Sequence, residues 1–182
     1  QWGRNRVYNY FVNGQSESYS YAQQTYAEFI GSPDADKWYN QFRSRVGYVV
    51  LGADVNSSAE TAYAHLVNDY GSRTTRSGGV AHFRALYASS DGQKITYQVV
   101  PGANLTGQTA PNATVTVRAN VMIPGASFTY ERQTTADANG NYSVRVANPG
   151  TYVVRTDNET RETTVTAESV RNGTRVQIDQ PE

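Results

Sequence analysis

The 182-residue chain contains no cysteine, and that absence excludes disulfides, thiol nucleophiles and Cys-based zinc sites together. It has two histidines, His65 in a predicted helix and His82 in a predicted strand. Both read as structural or surface histidines rather than metal ligands. No apolar run reaches 18 residues, so nothing in the sequence as it stands predicts a membrane span. Net charge is also missing. Sixteen basic residues cancel sixteen acidic ones, and they cancel within each half, which excludes a basic face for nucleic acid or anionic lipid. No G-x-S-x-G elbow, P-loop or dinucleotide glycine pattern occurs. The chain opens on Gln1 rather than Met, which leads us to expect a processed product or an excised piece of something longer.

What is present is a change of periodicity along the chain. Ser18 to Ile30 reads as a helix, with Tyr19, Ala22, Tyr26, Phe29 and Ile30 near a spacing of 3.6 and Ser20 with Gln23 as a capping box. Ser32-Pro33-Asp34-Ala35-Asp36 reads as the start of a second helix: Ser32 caps it, and both acids face the positive end of the dipole. Val46 to Leu51 is too short for a helix and reads as a buried strand. Ser57 to Glu60 offers a further capping box, followed by Ala62, Tyr63, Leu66, Val67 and Tyr70 on one helical face, with Gly71 closing it. Strands over roughly Val80 to Ala88 and Lys94 to Val100 join across Asp91-Gly92. The first part, 1–100, is therefore expected to be an α/β domain.

From Asn112 helical spacing stops and short alternating segments recur: Val115/Val117/Ala119/Val121, Phe128/Tyr130, Tyr142/Val144/Val146, Tyr152/Val154, Thr163/Val165 and Val176/Ile178. Turn formers such as Asn139-Gly140 and Pro149-Gly150 separate them. Residues 112–182 are thus expected to form an all-β sandwich of the immunoglobulin-like or transthyretin-like kind. The intervening "PGANLTGQTAP", 101–111, is expected to be a linker, being rich in turn formers and poor in apolar residues.

Little in the chain promises catalysis. Asp34 and Asp36 form a carboxylate pair, but helix N-terminal charges explain both. Arg4, Arg6, Arg43 and Arg45 are read as solvated surface rather than an anion site. Eleven of the fourteen tyrosines lie in residues 1–97, mostly on the apolar faces above, and read as core. No catalytic, cofactor or metal residue is assigned. One signal stands out: Asn56, Asn104, Asn112, Asn141, Asn158 and Asn172 each open an N-x-[ST] sequon. Composition alone would give about two or three. These six are candidate glycosylation sites, with covalent N-glycans as the expected partners and an extracellular or cell-surface location implied.

The stretch "VVPGANLTGQTAPNATVTVRANVMIPGASFTYERQTTADANGNYSVRVANPGTYVV" resembles the C-terminal part of haloarchaeal oligosaccharyltransferase catalytic subunits and their relatives. "WGRNRVYNYFVNGQSESYSYAQQTYAEFI" and "RVGYVV" resemble the segment that joins their membrane half to the sandwich. The second half also resembles the transthyretin-like repeat of carboxypeptidase regulatory domains. The first resemblance implies an exterior region of a membrane enzyme that moves a lipid-linked glycan onto Asn, with the catalytic carboxylates elsewhere. That family's Trp-Trp-Asp signature is absent, and Asp34 with Lys37 matches its D-x-x-K motif only in spacing, so neither is carried over. The chain departs further in being neutral, with Arg as 14 of its 16 basic residues. The alternative expectation, from another class, is a secreted surface glycoprotein that self-assembles into a filament or coat through its sheet edges.

Overall fold

A computed structural model describes residues 19–52, 60–157 and 159–178 of the chain. The first helix, α1, runs Tyr19–Gly31; a 3-10 turn at Asp36–Trp38 leads into the one-turn helix α2, Tyr39–Phe42. Then come β1 (Tyr48–Gly52), α3 (Ala62–Asp69), β2 (Phe83–Ala88) and β3 (Lys94–Val99). The second part holds β4 (Ala103–Gln108), β5 (Thr114–Ile123), β6 (Ala126–Thr135), β7 (Asn141–Val146), β8 (Gly150–Arg155), β9 (Thr160–Val165), α4 (Ala167–Asn172) and β10 (Arg175–Gln177). The fold is mostly sheet with few helices.

In the first half β3 lies between β1 and β2 in an antiparallel sheet. Alternation sends Val49, Leu51, Ile95, Tyr97, Phe83 and Ala85 to one face, where they meet Phe29 of α1, Phe42 of α2 and Leu66 of α3. The centre of this core is aromatic: Phe29 stacks on Phe83 at 5.3 Å and meets Phe42 edge-on at 5.1 Å. The second half has two sheets, β10-β4-β7 and β6-β5-β8-β9, whose inner faces share one core that includes Leu105, Val115, Val117, Tyr130, Val144 and Tyr152. The period-2 reading of these strands holds residue by residue: in β7 Tyr142, Val144 and Val146 point in, and Asn141, Ser143 and Arg145 point out.

The structure corrects three local readings. The segment 101–111 contains β4, which pairs with β7 on one side and β10 on the other, so it is the middle strand of a sheet and not a linker. Its small residues are the reason it reads as a loop. Ala103 and Gly107 fit where the backbone must pack closely, and a Cβ at Gly107 would stand 2.4 Å from the Tyr142 hydroxyl. Ser32 does not cap a helix: its hydroxyl and the Asp34 carboxylate close two successive side-chain turns, and helical structure starts only at Asp36. The helix α4 falls in a region read as all strand, because six residues are too few to show a period. Its ends are conventional, with Thr166 accepting from the Ser169 N–H at 3.0 Å and Gly173 left-handed at φ +66°. Helix α3 is capped by Thr61; Ser57 and Ser58 lie outside the described residues, as do the side chains of Ser20 and Gln23.

Four buried tyrosines carry their phenols to main-chain carbonyls: Tyr63 to Gly52 O at 2.5 Å, and three whose rings are almost wholly enclosed. Tyr97 donates to Leu66 O at 2.5 Å, Tyr130 to Val80 O at 2.5 Å and Tyr152 to Asn148 O at 2.7 Å. Each ring fills core volume while its hydroxyl meets a carbonyl that would otherwise be unpaired. Burial raises all three phenol pKa values, that of Tyr130 to about 12. An unfolded phenol ionises near 10. The stability Tyr130 contributes in this way is therefore complete below pH about 10 and is lost as pH climbs toward 12. Urea midpoints measured from pH 9 to 12 should fall, and fall less steeply in Tyr130→Phe than in the parent chain.

Candidate functional site

The two cores meet along a seam of polar and apolar contacts, with Ile123 and Phe128 packed against both, and a cleft of about 310 Å³ opens on it. Its lining comes from both halves: Pro33 to Asp36, His65 of α3, the loop Ser77 to Val80, and Arg132 of β6. The Asp36 carboxylate is fixed at its rim. The Ala81 N–H donates to both of its oxygens at 2.9 Å, the His82 N–H donates to Oδ1 at 3.1 Å, and Arg132 Nη1 donates to Oδ2 at 3.3 Å. The same Arg132 nitrogen donates to Gly79 O at 2.7 Å. An anion held by two N–H groups and a guanidinium is well compensated, and Asp36 has no oxygen left over for chemistry.

Further bonds run along the seam on either side of the cleft. Tyr130 Oη accepts from the Ala147 N–H at 3.2 Å while donating to Val80 O. Fully buried Asn148 accepts from the Ala85 N–H at 3.1 Å. Arg73 pairs with Glu131 at 3.0 Å, and Tyr70 stacks on Phe128 at 4.4 Å. His82 lies flat on Tyr39 at 3.9 Å, with Nδ1 against Val100 O at 3.0 Å. Burial lowers its pKa, partly opposed by the Asp36 charge and the Val100 carbonyl, so the neutral ring with a proton on Nδ1 suits the site.

Nothing in the cleft is arranged as an activated nucleophile. Ser77 and His65 both line it, yet no hydrogen bond joins them, and the Ser77 hydroxyl instead accepts from the Gly79 N–H. His65 Nδ1 stands 4.0 Å from the Asp69 carboxylate, beyond hydrogen-bond length, and is left buried without a partner, as is Arg132 Nε. Among the described residues no group of three or more His, Asp or Glu could hold a metal ion. Asp34 and Asp36 do not act as a pair: Asp34 closes a turn and faces exposed Lys37, while Asp36 joins the seam. Arg43 and Arg45 are exposed, Arg45 over the Tyr21 ring at 5.3 Å; Arg4 and Arg6 lie outside the described residues.

Of the candidate glycosylation sites, the structure brings together only Asn104 and Asn141, on the paired strands β4 and β7, among the described residues. Asn104 lies in β4, Asn141 opens β7, Asn112 sits in the turn before β5, and Asn172 ends α4. Asn56 and Asn158 fall outside the described residues. Sequence reasoning passed over Arg132 and Asn148, the seam's main side chains from the second half. An isolated polar residue between strand residues carries no periodic signal that would mark it.

Residues 102–176 match the family model described as the archaeal glycosylation protein B long peripheral domain. The chain resembles archaeal oligosaccharyltransferases. Among solved structures, the Archaeoglobus fulgidus oligosaccharyltransferase in complex with Zn and sulfate superposes with a TM-score of 0.56 at 16% identity, over 67% of this chain and 24% of that one. The A. fulgidus oligosaccharyltransferase AglB with an inhibitory peptide and a dolichol-phosphate gives 0.55 at 16%, over 73% and 26%. Its apo form gives 0.55 at 17%, over 74% and 27%. These likenesses establish the fold, and the chain spans about a quarter of the length of the AglB structures it matches. No curated protein matches. The matched family model describes a peripheral domain.

Removing the Asp36 carboxylate strands two N–H groups and a guanidinium that is 16% exposed. Asp36→Ala should therefore cost about 3 kcal/mol in urea unfolding, and Asp36→Asn, which keeps one acceptor oxygen, clearly less.

Proposed function

We propose that this chain is a non-catalytic peripheral region of an archaeal oligosaccharyltransferase-like membrane protein, lying on the exterior side of the membrane. The observation that carries the reading is the family match over 102–176, a part of the chain with a core of its own and, among the described residues, no catalytic constellation. In this reading the transferase chemistry belongs to the membrane half. This chain supplies a rigid body that covers or orients that half, and Asp36, Arg132, Tyr130 and Asn148 make its two cores a single unit instead of two tethered domains. The second half is taken as a transthyretin-like sandwich, which suits such a role because its strands bury their apolar faces on each other and need no ligand to complete the core. Among the described residues no helix is long and apolar enough to cross a membrane, so attachment would come from sequence beyond them.

A second reading, self-assembly on the cell surface, draws on one observation. Val50 of β1 and Tyr87 of β2 both stand opposite Thr96 in register, and at 55% and 46% exposure they form an apolar row across the open face of the first sheet. Sedimentation separates the readings, since a concentration-dependent oligomer that Tyr87→Lys abolishes would favour assembly.

The absence of cysteine gives a clean test of location. Met122 is 86% exposed at the β5–β6 hairpin, so Met122→Cys should react with a membrane-impermeant maleimide on intact cells. Labelling only after lysis would contradict the exterior placement. Purified chain given a lipid-linked glycan and an acceptor peptide should transfer nothing.

A further inference from the structure

The four sequons among the described residues divide into two pairs by what the fold does to them. Asn104-Leu105-Thr106 and Asn141-Tyr142-Ser143 lie on neighbouring strands, with Thr106 opposite Ser143 and Gln108 opposite Asn141. Asn141 and Ser143 are exposed and Asn104 is half-buried, but each has a side-chain partner within the ladder or its turn. The buried Thr106 hydroxyl donates to Gln177 Oε1 at 3.0 Å and accepts from Arg175 Nε at 2.9 Å. Ser143 Oγ donates to Asn104 Oδ1 at 2.7 Å, so one sequon's hydroxyl is held by the other's amide. Asn141 accepts from Gln108 Nε2 at 2.9 Å and donates to Asp137 Oδ2 at 3.4 Å.

Asn112-Ala113-Thr114 and Asn172-Gly173-Thr174 are free of such ties. Asn112 is exposed in the turn between β4 and β5 at φ +60°, and Thr114 is exposed at the first position of β5. Asn172 is exposed at the end of α4, where left-handed Gly173 turns the chain and Thr174 is again exposed. Among the described residues neither asparagine amide and neither threonine hydroxyl has a hydrogen-bond partner.

We propose that Asn112 and Asn172 are the positions of the folded chain open to N-glycan transfer, and that the β4–β7 ladder closes Asn104 and Asn141 to it. A transferase must hold the acceptor amide and the hydroxyl two residues on in one site. At Asn112 and Asn172 both are presented to solvent on a turn or helix end. At Asn104 and Asn141 both must first be pulled from a paired strand, which requires local unfolding of the ladder. The donor is a lipid-phosphate-linked glycan. Asn Nδ2 bonds to the anomeric carbon, the carbon–oxygen bond to phosphate breaks with its electron pair on the phosphate oxygen, and the displaced amide proton passes to a base. The inference rests on the exterior placement proposed above for its occurrence in the cell, and on the fold alone for its choice of sites.

Two measurements keep these apart. In the first, the full chain made without glycans is incubated, folded, with archaeal membranes that contain oligosaccharyltransferase and lipid-linked glycan. Short peptides carrying each sequon serve as references, and site occupancy is read by peptide mass mapping. Relative to its own peptide, transfer to Asn112 and Asn172 should exceed that to Asn104 and Asn141 at least tenfold. Equal transfer to all four, or no transfer to Asn112 and Asn172 while their peptides are modified, would overturn the choice of sites. In the second, the protein from its native source is mapped. Glycan at Asn112 or Asn172 with Asn104 and Asn141 bare supports both statements, glycan at Asn104 or Asn141 overturns the protection by the ladder, and bare chain despite transfer in the first measurement overturns the exterior placement.

Discussion

The Asp36 carboxylate is the constraint around which the two halves are arranged. It comes from a short loop after α1, and its partners are the main chain at Ala81 and His82, at the entry to β2, and Arg132 in β6. Three parts of the chain distant in sequence are thus tied through one anion, close to the point where Tyr130 ties Val80 to Ala147. Such a group contributes little if its partners would be equally well solvated apart. It contributes much here because the N–H groups it accepts from are shielded between two cores, where an unpaired donor is costly. The seam thus combines these polar ties with apolar ones, since Ile123 and Phe128 pack against both clusters and Tyr70 stacks on Phe128.

The same arrangement explains why the cleft is chemically quiet. Asp36 is neutralised by Arg132 and occupied by two amides, the Ser77 hydroxyl serves a turn, and His65 is hydrogen-bonded neither to a nucleophile nor to the Asp69 carboxylate 4.0 Å away. Groups that could be reactive are spent on holding the loop Ser77 to Val80 against β6. This agrees with the match of 102–176 to a peripheral domain of archaeal glycosylation machinery.

Much of the second half was legible in the sequence because an antiparallel strand with one buried face writes its own pattern. Tyr142, Val144 and Val146 announce β7 without help from tertiary contacts. The strand β4 was not legible, since Ala103 and Gly107 fit close backbone approach and resemble loop residues in composition. Asp36 was visible as a residue but misread in role: Ser-Pro-Asp-Ala-Asp is a good helix start, and only the position of Ala81 and His82, some 45 residues on, turns Asp36 into a bridge. Arg132 had no local signature, because its partners are reached only when β6 packs on the first half. The sequons were plainly legible, but which of them the fold leaves free depends on strand register, and register between β4 and β7 is not written in either strand alone.

The central claim is that the seam makes one cooperative body of two cores. It is tested most directly by urea unfolding of Trp2→Phe, followed simultaneously by Trp38 fluorescence, which reports the first core, and by far-UV circular dichroism, to which the helices and strands of both halves contribute. The account predicts a single transition with coincident midpoints for both probes, and midpoints that fall together when Asp36→Ala is added. A fluorescence transition well below the dichroism transition, with only the former moved by Asp36→Ala, would contradict it.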